Sequence, residues 1–227
     1  MIKSSLMLSS RRYVYLTTKR TPCQIFCVRI VKVNRVTSLE ARVNKLIIFD
    51  LDGVLIESRE LHYESLNMAL ESISKDYVIS RDEHLSIFDG LSTTKKLSML
   101  TEIKKLPVET HTIIWERKQL ATFELIKKFP VDSKLVSMFS KLKSEGYKIA
   151  VASNSIRETV KISLLRIGVM EYVDYYVSNQ DVSHPKPYPE MYWKCMTVCK
   201  VLPRDTLIIE DSHIGRRAAI DSGANLL

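Results

Sequence analysis

Leu46-Ile47-Ile48-Phe49 is an unbroken apolar run that ends abruptly in Asp50-Leu51-Asp52-Gly53. A continuous apolar run of strand length must be buried on both faces, the environment of a parallel sheet covered by helices. Three further runs share the pattern: Lys148-Ile149-Ala150-Val151-Ala152, Tyr172 to Val177, and Thr206-Leu207-Ile208-Ile209. Helical periodicity fills the gaps. Asp132 to Ser144 places Leu135, Met138, Phe139 and Leu142 on one face, and Ser155-Ile156-Arg157-Glu158 reads as a capping box opening the next helix. Pro189 to Val201 and His213 to Ser222 supply two more, with Gly223 as the stop of the last. Strand alternating with helix predicts an α/β fold with a doubly wound parallel sheet. The sequence ends at Asn225-Leu226-Leu227, where another strand is expected to begin, so a truncated C-terminal edge strand is expected.

Residues 58–131 interrupt the alternation. They read as helical throughout: His62 to Ile73, Ser80 to Ile87 behind the capping box Ser80-Arg81-Asp82-Glu83, Ser92 to Ile103, and Pro107 to Lys128. The expected organisation is therefore a helical insertion over 58–131 within an α/β core of 46–57 and 132–227, preceded by a basic extension over 1–45. That extension holds ten Lys or Arg and one acid, Glu40, whereas the other 182 residues hold 24 Lys or Arg and 25 Asp or Glu. The formal charge of +8 thus belongs to the leader, and a basic patch on the folded part for nucleic acid is not expected. The leader reads as a transit peptide, a mis-assigned start with the natural one near Val43, or a tail for an acidic partner. No apolar stretch approaches the roughly 18 residues a membrane span requires. Cys23/Cys27 and Cys195/Cys199 are each four apart, without the spacing or His partners of zinc sites, and read as reduced thiols in a reducing, cytoplasmic setting, or an organellar one if the leader is a transit peptide.

Ligands of such sheets bind outside the carboxyl ends of the strands. Asp50 and Asp52 follow the first strand, Ser153 the second, and Glu210 and Asp211 the fourth, while His184-Pro185-Lys186-Pro187 carries a lysine held between prolines. Four carboxylates crowded on one edge repel by about 4 kcal/mol per pair at 4 Å and an effective dielectric of 20. A divalent cation relieves that repulsion, hard oxygen ligands select Mg2+, and the cation invites a phosphate. Each residue also has an ordinary reading. Asp52-Gly53 suits a turn, Ser155 suits a helix cap better than a phosphate ligand, Lys186 suits a solvated loop, and Glu210-Asp211 suits the cap of the helix from His213. Requiring all of these at once is the weaker account. Trp115 and Trp193 fall in helical patterns and read as core.

Asp50-Leu51-Asp52-Gly53-Val54-Leu55, Ser153, Lys186 and Glu210-Asp211-Ser212 resemble, in order, the four motifs of the haloacid dehalogenase-like superfamily, from about Lys45 to Leu227. The resemblance implies a Rossmann-like core with an α-helical cap, and an Mg2+-dependent phosphatase acting on a small phosphorylated metabolite such as a sugar, a polyol or phosphoglycolate. It implies Asp50 as nucleophile forming an aspartyl-phosphate, Asp52 as general acid and base, and Ser153 and Lys186 as partners of the phosphoryl oxygens, with Gly53 and Asn154 beside them. The metal would be held by Asp50, the Asp52 carbonyl and Asp211, with Glu210 in or beside the shell. His62 resembles a cap-hinge histidine of some relatives, and a structural role fits it equally. In the cap, Gly90, Ser92, Thr93 and Lys95 are expected to meet substrate. Mutase members carry Arg where this chain has Thr93, so hydrolysis is favoured over mutase chemistry, although Lys95 or Lys96 could substitute for it. A non-catalytic binding protein, with a basic tail that could contact nucleic acid, is the alternative of another class. A monomer is expected.

Overall fold

The computed structural model describes residues 45–88 and 91–227. The leader, Cys23, Cys27 and Gly90 lie outside the described residues. Five parallel strands form one sheet in the order β3-β2-β1-β4-β5, with β1 Leu46–Phe49, β2 Lys148–Ala152, β3 Tyr175–Val177, β4 Thr206–Ile209 and β5 Asn225–Leu226. β1 is the central strand, and its register sets Phe49 beside Val151 on one side and Ile209 on the other. Because every strand runs the same way, the residues that follow β1, β2 and β4 emerge on one edge.

Side chains alternate across the pleat. Leu46 and Ile48, with Ala150, Ala152, Val177 and Ile208, pack against Met191, Tyr192, Cys195, Met196 and Cys199 of helix α7 and Ala218 and Ala219 of α8. α7 spans Glu190–Cys199 and α8 His213–Asp221. Phe49 belongs to the opposite face and stacks on Phe139 of α5, Ser133–Ser144, with ring centroids 5.0 Å apart. α6 occupies Arg157–Arg166. Between β1 and β2 run α1 Arg59–Glu71, the short α2 Arg81–Glu83 continued by a π-helical turn, α3 Thr93–Lys104 and α4 His111–Ile126. These helices enclose a second core of Leu66, Ala69, Leu70, Ile79, Phe88, Leu97, Leu100, Leu106 and Ile114. Among the described residues no helix is long and apolar enough to cross a membrane.

Three expectations are corrected. Trp115 and Trp193, read as core, are both exposed. The strand read from Tyr172 begins only at Tyr175, because Met170–Tyr172 closes a 3-10 turn and the Asp174 carboxylate, 2.7 Å from Ile149 N, takes the amide that a longer ladder would use. The capping box at Ser155 does not form: Ile156 is the N-cap of α6, and the Ser155 hydroxyl is spent elsewhere. The boxes at Ser80 and the caps of α3 by Ser92 and of α5 by Asp132 do form. At the C-terminal end Asn225–Leu226 pairs with β4, and Gly223, at φ +78, makes the turn that ends α8.

Candidate active site

β1 delivers Asp50 to the sheet edge, where its amide donates to Ile209 O at 2.9 Å and extends the ladder by one residue. The Lys186 ammonium, buried, donates to Asp50 Oδ1 at 2.5 Å, Glu210 Oε2 at 2.7 Å and Ala152 O at 2.8 Å. Three acceptors satisfy its three donors. The loop that carries it is pinned by Asn154, whose side chain accepts from Lys186 N at 3.1 Å and donates to Lys186 O at 3.0 Å. Burial alone would strip the lysine of its proton; the charges of Asp50, Tyr192 and Glu210 outweigh it and hold the ammonium well above the usual lysine range.

Glu210 is fully engaged. Oε2 accepts from Lys186 and from the Tyr192 hydroxyl at 2.8 Å, and Oε1 accepts from the amide and hydroxyl of Ser212 at 3.0 and 2.8 Å. Gly215 makes this possible, since a Cβ there would fall 2.0 Å from the Glu210 carboxyl. Burial raises the Glu210 carboxyl, and Lys186, Ser212 and Tyr192 together bring it below its ordinary value.

Asp50 and Asp211 are not so well served. Burial pushes the Asp50 carboxyl up, Glu210 and Asp52 add to the shift, and Lys186 pulls against it. Burial and the charge of Glu210 likewise raise Asp211. One oxygen each of Asp50, Glu210 and Asp211 lies within 4.8 Å of the others. Gly53, at φ +87, leaves the space: a Cβ on it would sit 2.2 Å from Asp211 Oδ2. Two carboxylates raised by burial and like charge, all-oxygen donors and a cleared approach fit a hard divalent cation such as Mg2+.

Asp52 is held by hydroxyls. Ser153 and Ser155 each donate to its Oδ2 at 3.1 Å, and His62 Nε2 lies 3.3 Å from Oδ1. Burial would raise this carboxyl, but His62, Ser58 and Ser155 outweigh it and keep it below the ordinary range. Oδ1 accepts no well-aligned hydrogen bond.

The expected residues divide accordingly. Asp50, Asp52, Ser153, Asn154, Lys186, Glu210 and Asp211 converge on one edge. Gly53 is adjacent, yet its amide donates to Ile56 O at 2.8 Å, so what it supplies is room for Asp211 and not a phosphate contact. Ser92 spends its hydroxyl capping α3 through Lys95 N, Thr93 is half-buried, and Lys95 is exposed. The lysine of that segment that turns inward is Lys96. Missing from the expected set are Tyr192, Ser58 and, as a partner of Asp52, Ser155. Tyr192 reads as one more apolar residue of α7, and Ser155 reads as a cap.

A family model described as haloacid dehalogenase-like hydrolase matches residues 47–227. A phosphorylated carbohydrates phosphatase of Thermotoga maritima is 28% identical over 180 residues, covering 78% of this chain and 81% of that protein. The pyrophosphatase PpaX of Bacillus mycoides is 28% identical over 177 residues, 74% of each. CbbY from Rhodobacter sphaeroides, solved in complex with phosphate, superposes with a TM-score of 0.70 at 22% identity, over 80% of this chain and 84% of that one. At that identity the superposition shows the fold.

Proposed function

The chain belongs to the haloacid dehalogenase-like hydrolases, and from that premise we propose that it is an Mg2+-dependent phosphatase acting on a small phosphomonoester. A sugar or polyol phosphate, or a phosphoglycolate-like compound, is the substrate class. The observation that carries the reading is the meeting of one buried ammonium with the carboxylates of Asp50 and Glu210, with Asp211 within 4.8 Å. A protein that needed only stability would gain little from it, because buried ion pairs seldom repay their desolvation.

Asp50 attacks phosphorus in line, and an Oδ–P bond forms as the bond to the leaving oxygen breaks. Asp52, having taken up a proton in the substrate complex, gives it to that oxygen. The same carboxylate then takes a proton from water as the water attacks the aspartyl-phosphate, releasing inorganic phosphate and Asp50. The low range in which Asp52 is held suits it to the second step, and His62 and the three serines fix its aim. Lys186 neutralises the phosphoryl oxygens, with Ser153 beside it. Mg2+, held by Asp50, the Asp52 carbonyl and Asp211 with Glu210 alongside, would supply further positive charge to those oxygens. Thr93 offers no guanidinium for a far phosphate, which favours hydrolysis over a mutase. Residues 46–57 and 132–227 serve as the catalytic core and 58–131 as a cap, a division supported by the two separate apolar cores. Every group named comes from one chain, so a monomer suffices, and the buried free thiols Cys195 and Cys199 suit the cytoplasm.

Release of phosphate from p-nitrophenyl phosphate and a panel of sugar phosphates tests this. Turnover that requires Mg2+ and falls on the order of 10³-fold or more in Asp50→Asn is expected. No turnover in wild type, or equal turnover in the variant, overturns it.

A further inference from the structure

α6 starts without a cap of its own: Ile156 stands at its N-cap with no side-chain acceptor, although the first amides of a helix have no partner within it. The foremost of them, the amide of Arg157, donates to Gln180 Oε1 at 2.9 Å, from the turn that follows β3. That turn, Asn179–Asp181, also holds the residue two places ahead of α6, since Asn179 N donates to Ser155 O at 3.2 Å. The turn is itself closed by several bonds. The Asp181 carboxylate, its side chain 5% exposed, pairs with Arg157 and accepts from the amide and hydroxyl of Ser178 at 2.8 and 2.6 Å. Gln180 N donates to Ser178 Oγ at 3.3 Å, and Lys194 of α7 donates to Asp181 O at 2.5 Å. Among the described residues no hydrogen bond or ion pair joins the turn to Asp50, Asp52 or Lys186. It reaches the catalytic edge only through 155–157.

What the turn holds there is Ser155. Its hydroxyl donates to Asp52 Oδ2 at 3.1 Å, beside that of Ser153, and its amide donates to Ser153 Oγ at 3.0 Å. A hydroxyl–carboxylate bond of that length is already at the long end of its range and weakens steeply as the donor swings off line. It lasts only while the backbone of 155–157 stays in place. We propose that Gln180 is a positioning residue of the hydrolase reaction: by taking the first amide of α6 it fixes Ser155, and through Ser155 the aim of the Asp52 carboxylate. The inference rests on the hydrolase reading above, which gives Asp52 the proton transfers. Misplacing a reacting group by about 1 Å can cost ~100-fold in rate, so a hydrogen bond remote from the chemistry acts on the chemical step and little on substrate binding. Gln180 is exposed, and shortening it opens no cavity.

The test uses full chains with Mg2+ and p-nitrophenyl phosphate, with rates normalised to the folded fraction from urea unfolding. It compares wild type, Gln180→Ala, Gln180→Glu, Ser155→Ala and the double variant of Gln180→Ala with Ser155→Ala. Gln180→Ala is expected to lower kcat about fivefold, with KM within about twofold of wild type. Gln180→Glu keeps an oxygen within reach of the Arg157 amide, and a helix N-terminus favours an anion, so kcat should return to within about twofold of wild type. Ser155→Ala severs the link, so adding Gln180→Ala to it should cost less than about 1.5-fold more. A residue that only stabilised α6 would lower the folded fraction instead, and its effect on rate would multiply with that of Ser155→Ala. Full multiplication of the two losses, an unchanged kcat in Gln180→Ala, or a loss carried by KM alone overturns the inference. Should Gln180→Ala not fold, Gln180→Met replaces it, keeping the length of the side chain and removing the acceptor, and the same outcomes decide. Wild-type turnover matched by the Gln180 variants removes the positioning role and leaves the phosphatase, whereas no wild-type turnover removes both.

Discussion

Asp52 shows how little of a residue's role is written in its immediate neighbours. Its carboxylate is aimed by Ser153 and Ser155, about a hundred positions along the chain, and by His62 and Ser58 nearby. Ser155→Ala removes one donor that favours the charged form, so the Asp52 carboxyl rises. The acidic limb of the kcat–pH profile, where the base form is lost, should move to higher pH. A limb that stays in place would separate Ser155 from the chemistry. Asp50 and Asp211 carry the opposite signature. Because both are raised, protons compete with metal at a higher pH than for ordinary carboxylates. Calorimetry should therefore show apparent Mg2+ affinity weakening as pH falls through the neutral range, before solvent-exposed carboxylates titrate. The acids and the lysine were legible in the sequence because strand ends and a proline-bracketed loop fix where they stand. Ser58 and Ser155 were not, since a serine before a helix has two uses and only the third dimension chooses between them.

That choice recurs at the scale of elements. α1 and α6 both begin behind serines, Ser58 and Ser155, and neither helix receives a side-chain cap from them. Each forgoes a cap worth about 1 kcal/mol, and both hydroxyls act on Asp52 instead. The strands and most helices could be read because burial on both faces and heptad-like spacing leave a periodic trace; β3 was overextended because a side-chain acceptor such as Asp174 leaves none. α4 carries a further cost. Lys118 is pushed from 10.5 to about 8, so the folded state binds fewer protons than the unfolded between those values, and stability rises with pH across that window. At neutral pH the burial of its charge costs about 3 kcal/mol at 1.36 kcal/mol per unit. Lys118→Met should accordingly be more stable than wild type at pH 7 by roughly 1–3 kcal/mol in urea unfolding, with the difference shrinking toward pH 10. A variant less stable than wild type at pH 7 would mean that Lys118 has a partner in the resting protein.

At the scale of the molecule, one architectural fact gathers the site: five parallel strands send every loop after a strand to the same edge, so residues separated by up to 161 positions in the sequence need no further device to meet. The helical insertion leaves the chain between β1 and β2 and returns without joining the sheet, and its apolar residues enclose a core of their own. If the two apolar clusters mark two cooperative units, their opening free energies differ. Leu70, fully buried in the insertion, and Ile48, fully buried under the sheet, provide a matched pair of probes. Truncating either buried side chain costs about 2–5 kcal/mol. If the insertion opens as a unit, Leu70→Ala should speed amide hydrogen exchange across α1, α3 and α4 and leave β1, β2 and β4 nearly as protected as before. Ile48→Ala should lower protection throughout the sheet. The asymmetry bears on the chemistry, because a unit that opens alone can admit substrate and expel phosphate while Asp50, Lys186 and Glu210 stay assembled on the rigid edge. Uniform loss of protection in both variants would instead make the chain one cooperative block, in which the catalytic edge could not stay fixed while the insertion moved.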